Sequence, residues 1–402
     1  MRLTRWMATG VALAGLLLLA SCLNTSDVKI GVIIPQEGSS LQEYGYQITS
    51  GIKLAEADLK AKGHLKKNYT LIVKSEDLNN IESVKQAFME LKEEGVIAII
   101  GAASSASTIE LAKLANEHKI VLLSPAASSP EINSGDMNAN DFVFRNQPSD
   151  TLEAQTLANL IFQKCRMQKV LMVRSKSAYA EGITFELLKF GRQNRNQIPG
   201  EVVKFSTDTS EVDYVSVTDR IIEHAPQAVF VAGYHDEVLP LIEEIRKREE
   251  LVDTYIFTSS ALLIDNAITK LGAETVEGLM YTSYPWQPAE SGPVIQSFAS
   301  RFEQEYKAKP DIYAANGYDA MIVLATAIDA ADHWLTDALR DELNKINFTP
   351  KATAELVLQE TDFNKRGDVT RIPQVYWVRE GMVAKLQPED IDAIKEKILT
   401  QF

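Results

Sequence analysis

The chain has 402 residues, with 41 lysines and arginines against 55 aspartates and glutamates, for a formal charge of −14. Phosphate binding needs a basic surface, so nucleic acid is not expected as a partner. At 45% hydrophobic and 24% charged residues, the chain is too apolar for a disordered protein and long enough for two or three domains with sizeable cores.

The first residues read as an export signal. Arg2 and Arg5 are basic, Val11 to Ala20 is apolar, and Leu19-Ala20-Ser21-Cys22 closes the segment. The apolar run is too short to span a membrane comfortably. Its end resembles a bacterial lipobox. That resemblance implies a lipoprotein signal peptide over 1–21, cleavage before Cys22, and lipid on the Cys22 sulfur and new amino terminus. A plain secretory signal with an incidental cysteine is the competing reading. Loss of residues 1–21 leaves 39 basic against 55 acidic residues, a charge of −16. Residues 22–27 then form the lipidated cysteine and a short polar tether. Cys165 remains alone, so no intramolecular disulfide is expected, and it reads as a small core or semi-buried residue. No later stretch is long and apolar enough to cross a membrane.

Val28 to Pro35 is a nearly continuous apolar run, as a buried parallel strand should be. A polar loop, Gln36 to Tyr44, leads into a helical period from Ile48 to Lys60. Tyr69 to Val73 reads as a strand, Ile81 to Glu93 as a helix and Val96 to Ile100 as a strand. From Ala98 to Pro130 the chain forms a strand–helix–strand unit. Its strands end in Gly101-Ala102-Ala103-Ser104-Ser105 and in Ser124-Pro125-Ala126-Ala127-Ser128-Ser129-Pro130. Open α/β sheets bind ligands at such carboxyl ends, where small residues let a ligand approach free amides and hydroxyls. Ordinary turn and cap chemistry is the plainer account of each residue taken singly.

Phe142 to Arg145 is a short apolar segment, and Asn146-Gln147-Pro148-Ser149-Asp150 marks a domain crossing with an N-cap. Alternation then resumes, with helix at Leu152–Gln163, strand at Val170–Val173, helix at Tyr179–Arg192 and strand at Val202–Phe205. Helix at Val215–Glu223, strand at Ala228–Ala232, helix at Glu237–Arg248 and strand at Tyr255–Phe257 follow. After Gly278 the rhythm changes: strand at Leu279–Thr282, helices at Val294–Tyr306 and Tyr318–Ala331, a late strand at Val375–Val378, and a charged helix from Pro388 to Phe402 read as a solvated cap. The fold class is α/β, two doubly wound Rossmann-like lobes with a ligand cleft between them.

Catalytic and metal motifs do not stand out. The five histidines (His64, His118, His224, His235, His333) lack metal-ligand spacing, and there is no Walker loop or GxSxG elbow. No cofactor is called for, and an enzyme is the most distant reading.

The residues together resemble the type I periplasmic solute-binding proteins of the branched-chain amino acid (Leu/Ile/Val-binding) family of ABC transporters. The resemblance covers roughly residues 28–380. It rests on Ile30 to Pro35, Tyr44-Gly45, Gly51-x-x-Leu54-Ala55, Asp77, Gly101-x-x-x-Ser105 and Ser124 to Ser128. Phe144-Arg145, Ser149-Asp150, Tyr179, Pro226-x-Ala228-Val229-Phe230, Glu277-Gly278, Tyr313-Ala314 and Tyr318-Asp319-Ala320 complete it. It implies an N-terminal lobe of 28–146 with 278–358, a C-terminal lobe of 147–277 with 359–385, three crossings, and a C-terminal helix over 386–402.

For the site it implies that Ser105 holds a ligand carboxylate, with backbone and hydroxyl groups from Ala126 and Ser128, where Ser replaces the usual Thr. Tyr44, Tyr179 (followed by Ala180 in place of Gly) and Tyr234 complete the aromatic wall. One position departs. Amino-acid binders of the family carry an acid for the ligand ammonium just after the strand at Tyr255–Phe257, and Ser260 stands there. A neutral hydroxyl lacks the charge-assisted bond of a carboxylate. Asp236 is one candidate substitute, and Tyr284 and Trp286 are either ligand-packing aromatics or interlobe core.

The resemblance therefore implies a lipid-anchored, extracytoplasmic or periplasmic protein that captures an amino acid or related carboxylate by lobe closure and delivers it to an ABC transporter permease. The rival is a sensing or envelope-regulatory lipoprotein on the same fold, since fold alone does not fix function. Leu23 after Cys22 permits outer-membrane sorting, which would favour the rival.

Overall fold

The computed structural model describes residues 27–35, 37–62, 68–78, 80–133, 141–193, 202–286, 292–331, 336–345, 356–358 and 363–401. The expected signal peptide (1–21), Cys22 and the tether up to residue 26 lie outside the described residues.

The amino-terminal half alternates β1 (Val28–Pro35), α1 (Gln42–Lys62), β2 (Tyr69–Glu76), α2 (Ile81–Glu93), β3 (Ala98–Ile100), α3 (Ser105–His118), β4 (Val121–Ser124) and β5 (Val143–Arg145). The strands form a five-stranded parallel sheet in the order β2-β1-β3-β4-β5. Residues on both faces of its central strands are buried: Ile30, Ile99 and Leu122 are all fully covered. This is why the strands read as continuous apolar runs rather than alternating ones. One face packs on α2 and α3 through Phe88, Leu91 and Leu111. The other packs on α1 and on a late helix described below.

The second half runs α4 (Asp150–Ala158), β6 (Val170–Ser175), α5 (Ala178–Gln193), β7 (Val202–Phe205), α6 (Tyr214–Glu223), β8 (Ala228–Ala232), α7 (His235–Arg246), β9 (Tyr255–Thr258), α8 (Ile264–Leu271), the single turn α9 (Ala273–Val276) and β10 (Met280–Ser283). The last turns of α4 continue as a π-helix over Asn159–Lys164, and Cys165 behind it is fully buried. The sequence then returns to the first lobe with α10 (Pro293–Tyr306), α11 (Ile312–Ala330) and α12 (Thr336–Lys345), and ends with β11 (Gln374–Arg379), β12 (Met382–Lys385) and α13 (Pro388–Gln401). The second sheet has seven strands, ordered β12-β11-β10-β9-β8-β6-β7, with β11 and β12 antiparallel.

Several elements differ from the sequence expectation. The strand Met280–Ser283 pairs in parallel with β9, so it belongs to the second lobe and the boundary expected at 278 falls after Ser283 instead. Residues 363–369, expected in the second lobe, lie on the first: Phe363 packs on its core, and Asp368 bridges Arg145 at the edge of β5. α13 is not a free cap, because Ile394 and Ile398 are buried against the second lobe. A helix from Tyr318 was expected, but α11 begins six residues earlier. Asp311 caps it by accepting from the amides of Tyr313 (2.8 Å) and Ala314 (3.0 Å).

α11 is apolar all round and lies inside the first lobe, where the near-total burial of Tyr313 to Ala325 follows from its composition. It crosses α1 at backbone distance. A Cβ on Gly51 would stand 2.0 Å from the Ala314 carbonyl oxygen, and one on Gly317 would stand 2.4 Å from that of Ile48.

The chain passes between lobes after β5, after β10 and before β11. The first and third of these crossings are tied together, through Asn316 of α11. Asn146 Nδ2 donates to the Asn316 carbonyl (2.8 Å), Asn316 Nδ2 donates to Gln147 Oε1 (2.8 Å), and Arg371 Nη2 donates to the Asn146 carbonyl and to Asn316 Oδ1. Arg145 Nε meets Asp368 Oδ1 at 2.6 Å, both buried, while Arg145 Nη1 donates to the Ser129 carbonyl at 2.7 Å.

Candidate functional site

The loops at the carboxyl ends of both sheets face each other. The cleft between them is lined by Leu41, Tyr44, Ala103, Ser105, Ala126, Ser128, Gln147, Tyr179, Tyr234, Ser260, Ala261 and Tyr313. The seven residues expected from sequence (Tyr44, Ser105, Ala126, Ser128, Tyr179, Tyr234 and Ser260) are thus brought together around one space.

Each side chain arrives for a local reason. Ser104 is the N-cap of α3, and its hydroxyl accepts from the Ser107 amide at 3.1 Å. This frees the Ser105 amide to face the cleft. The Ser105 hydroxyl oxygen accepts from the Ser129 amide at 3.4 Å, which ties the β3 and β4 loops together. Across the cleft, Tyr234 is the N-cap residue of α7. Glu237 holds it by accepting from the Tyr234 amide at 2.8 Å.

The two lobes are in direct contact. The Ser105 amide donates to the Tyr234 hydroxyl oxygen at 3.1 Å. Tyr44 donates from its hydroxyl to the Ala261 carbonyl (2.6 Å) and accepts from the His235 amide (3.2 Å). Tyr179 donates to Ser259 Oγ at 2.6 Å and stacks on Tyr234 with ring centroids 5.2 Å apart. Tyr44 meets Tyr313 edge-on at 4.8 Å. The space that remains is about 10 Å³, room for about one water molecule. Burial holds the Tyr44, Tyr179, Tyr234 and Tyr313 hydroxyls well above the ordinary tyrosine range, so all four stay neutral donors and acceptors.

Carboxyl groups stand behind this wall. Glu76, at the end of β2, is buried, accepts weakly from the Ser104 amide (3.4 Å), and is pushed up to about 7 by burial. Asp150 and Glu153 occupy the first turn of α4, both fully buried and both raised chiefly by burial. The neighbouring Glu153 adds to the rise of Asp150, and the Ser128 hydroxyl and the Arg145 guanidinium act against it. Glu153 is heavily engaged. Its Oε1 accepts from the Ser260 amide (2.5 Å) and the Thr282 hydroxyl, and its Oε2 accepts from the Ser260 hydroxyl (2.8 Å).

Glu153 escaped the sequence reading. In sequence it is one acid in the first turn of a helix, and its partner Ser260 lies 107 residues away. The other candidates separate cleanly. Asp236 does not line the cleft. It faces Lys270 (3.5 Å) in a separate opening on the rim, beside His235 and Gly38. Tyr284 is buried and Trp286 packs edge-on against Phe298 at 6.1 Å, so both belong to the interlobe and first-lobe core rather than to the cleft wall. Gln147 and Tyr313 stand out in the sequence only as turn and motif residues, and the fold brings both to the cleft. Among the described residues, no cluster of His, Cys, Asp and Glu could hold a metal ion, and no helix is long and apolar enough to cross a membrane.

Comparison with known proteins gives concordant matches. A family model described as periplasmic binding protein matches residues 27–374. The Leu/Ile/Val-binding protein of Citrobacter freundii is 23% identical over 367 residues, covering 88% of this chain and 94% of its own. A leucine-binding protein from Thermotoga maritima has a similar crystal structure, with a TM-score of 0.76 at 24% identity over 90% of this chain and 98% of its own. So does a solute-binding protein of an ABC transporter from R. palustris, solved with benzoate, with a TM-score of 0.76 at 17% identity over 90% of this chain and 96% of its own.

Proposed function

Given that this chain belongs to the periplasmic binding protein family, we propose that it captures an amino acid or related carboxylate between its lobes and delivers it to an ABC transporter permease. The observation that carries this reading is the placement of the Ser105 amide. As an amide of a helix start it has no acceptor within its own helix, and the oxygen it meets is the Tyr234 hydroxyl of the opposite lobe. A ligand carboxylate would take the place of that oxygen, with the Ala126–Ser128 loop beside it, and the helix terminus would favour its charge. Tyr44, Tyr179 and Tyr313 would enclose the solute body. Entry requires the lobes to part, since the closed cleft has room for about one water. Ligand contacts to both lobes would then replace the direct Tyr44 and Tyr234 bonds and favour closure again. Lipid on Cys22 would hold the protein at the outer face of a membrane.

The test is binding to purified, folded protein. A thermal-shift screen against amino acids and amine-free carboxylates should raise the melting temperature with at least one, because a ligand that binds only the folded state stabilises it. Ser105→Ala combined with Ser128→Ala should weaken that ligand more than it lowers the melting temperature of the free protein. Unchanged affinity in a folded double variant removes the assignment.

The self-closed cleft favours a second reading, an envelope-regulatory lipoprotein whose lobes close on each other without a solute. A broad panel with no shift, together with outer-membrane fractionation, would select it.

A further inference from the structure

Ser260 lines the cleft, but its hydroxyl has a single proton, and that proton goes to Glu153 Oε2 at 2.8 Å. Only lone pairs are left for the cleft, so Ser260 meets a ligand as an acceptor. Glu153 itself receives three donors, the Ser260 amide, the Ser260 hydroxyl and the Thr282 hydroxyl. The Ser260 amide is a fixed donor to this carboxyl group, and both hydroxyls donate to it when it is ionised. Burial opposes ionisation there, and the same three donors favour it.

No lysine, arginine or histidine forms an ion pair with Glu153 or Asp150 among the described residues. The two nearby arginines hydrogen-bond to other groups. Arg145 is bound to Asp368 and the Ser129 carbonyl, and Arg371 is bound to Asn146 and Asn316. The opposite wall is built the other way, with the amide of Ser105 as a donor. The cleft is therefore polarised across its width, donor on the first lobe and a carboxylate-backed acceptor on the second.

From this juxtaposition we infer that Glu153 makes the cleft selective for an amine-bearing solute, by committing the Ser260 proton and presenting the Ser260 oxygen to a ligand ammonium. The inference rests on the reading of this cleft as the solute site. Glu153 does not touch the ligand; it is a positioning residue that acts through Ser260. The substitution Glu153→Gln reverses the polarity. The introduced side-chain amide can donate to Ser260 Oγ, which then turns its own proton toward the cleft and repels an ammonium.

The experiment is isothermal titration of the full chain, solubilised in detergent, with matched pairs of an amino acid and its amine-free acid, beginning with leucine and 4-methylpentanoate. The wild type should bind leucine at least about tenfold tighter than 4-methylpentanoate, the weight of one charge-assisted hydrogen bond. Glu153→Gln should weaken leucine by roughly 10- to 100-fold and leave 4-methylpentanoate within about threefold, and Ser260→Ala should shift the pair in the same sense. Ser260→Ala serves where Glu153→Gln does not fold. The inference is overturned if a folded Glu153→Gln keeps its leucine affinity. Equal weakening of both ligands overturns it too, since that marks a structural role only. A wild type that binds the amine-free acid as well as the amino acid also overturns it, yet leaves the carboxylate reading of Ser105 intact. Binding of neither member of any pair overturns that reading and the inference with it.

Discussion

Arg145 shows what one buried side chain does at the first crossing. Its guanidinium is almost fully covered, yet it meets Asp368 at 2.6 Å and the Ser129 carbonyl at 2.7 Å, and Asn133 completes the shell of Asp368 at 2.7 Å. Those bonds pin the β4 loop, the first crossing and the third crossing at one point. Replacing one partner of such a pair leaves the other charged, buried and uncompensated, which costs about 3–5 kcal/mol. Arg145→Met should lower the unfolding free energy measured by denaturant titration by that amount, and substituting Asp368→Leu as well should recover part of it. A loss below about 1 kcal/mol would mean that Asp368 finds another partner or takes up a proton. The motif Phe144-Arg145 is visible in the sequence; its partner, 223 residues on, is not.

At the scale of elements, the contact between α1 and α11 decides how the late segment joins the first lobe. Alanine is intrinsically a better helix former than glycine by about 1 kcal/mol, so Gly51 in the middle of α1 looks improvable from sequence alone. The structure reverses that expectation, because the added Cβ would stand 2.0 Å from a backbone oxygen that has no freedom to swing away. Gly51→Ala should destabilise by about 1–3 kcal/mol through forced separation of the helices. Gly292→Ala meets nothing within 4 Å and loses only the N-cap preference for glycine over alanine, so it should cost no more than about 1 kcal/mol. Differential scanning calorimetry of the two variants checks both. The β11–β12 hairpin has the same lesson in reverse. Glu380 and Gly381 both adopt positive φ, at 53° and 71°, and close a tight two-residue turn. The Glu-Gly pair is a local signal for that turn, although the sequence expectation ends at β11 and omits β12.

For the whole molecule, the titration of buried carboxyls sets the direction of stability against pH. Glu76, Glu237, Asp311 and Asp319 are each pushed up to about 7 by burial. In the unfolded chain such groups titrate near about 4. Between those values the folded state holds protons that the unfolded state has released. The stability these groups contribute is therefore complete below about pH 4 and is lost as pH rises toward 7. His235 works in the opposite sense. Burial lowers it from its ordinary value, so its contribution is present at neutral pH and lost in acid. Four groups against one predict a higher melting temperature at pH 5 than at pH 8 in the free protein. A melting temperature that rises over that interval would mean that these carboxyls ionise within the fold without cost.

Much of this protein was determined locally. Buried parallel strands are apolar at every position, so both lobes and their alternation were legible from runs along the chain, while the seven residues that line the cleft were expected only through the family resemblance. Strand Met280–Ser283 was legible as a strand, but its lobe was not, because a pairing partner is chosen by packing and not by the strand's own residues. α11 was read short at its start, since a helix that is apolar all round carries no period to mark where it begins. Only the tertiary structure decided which charges and hydroxyls meet. It set Glu153 behind Ser260 and buried Asp150 beside it. It also placed Asp236 on the rim and brought the Tyr234 oxygen to the Ser105 amide. Such encounters join residues 107 and 129 positions apart. The charge that faces a ligand is a property of the closed interface, and no stretch of chain contains it.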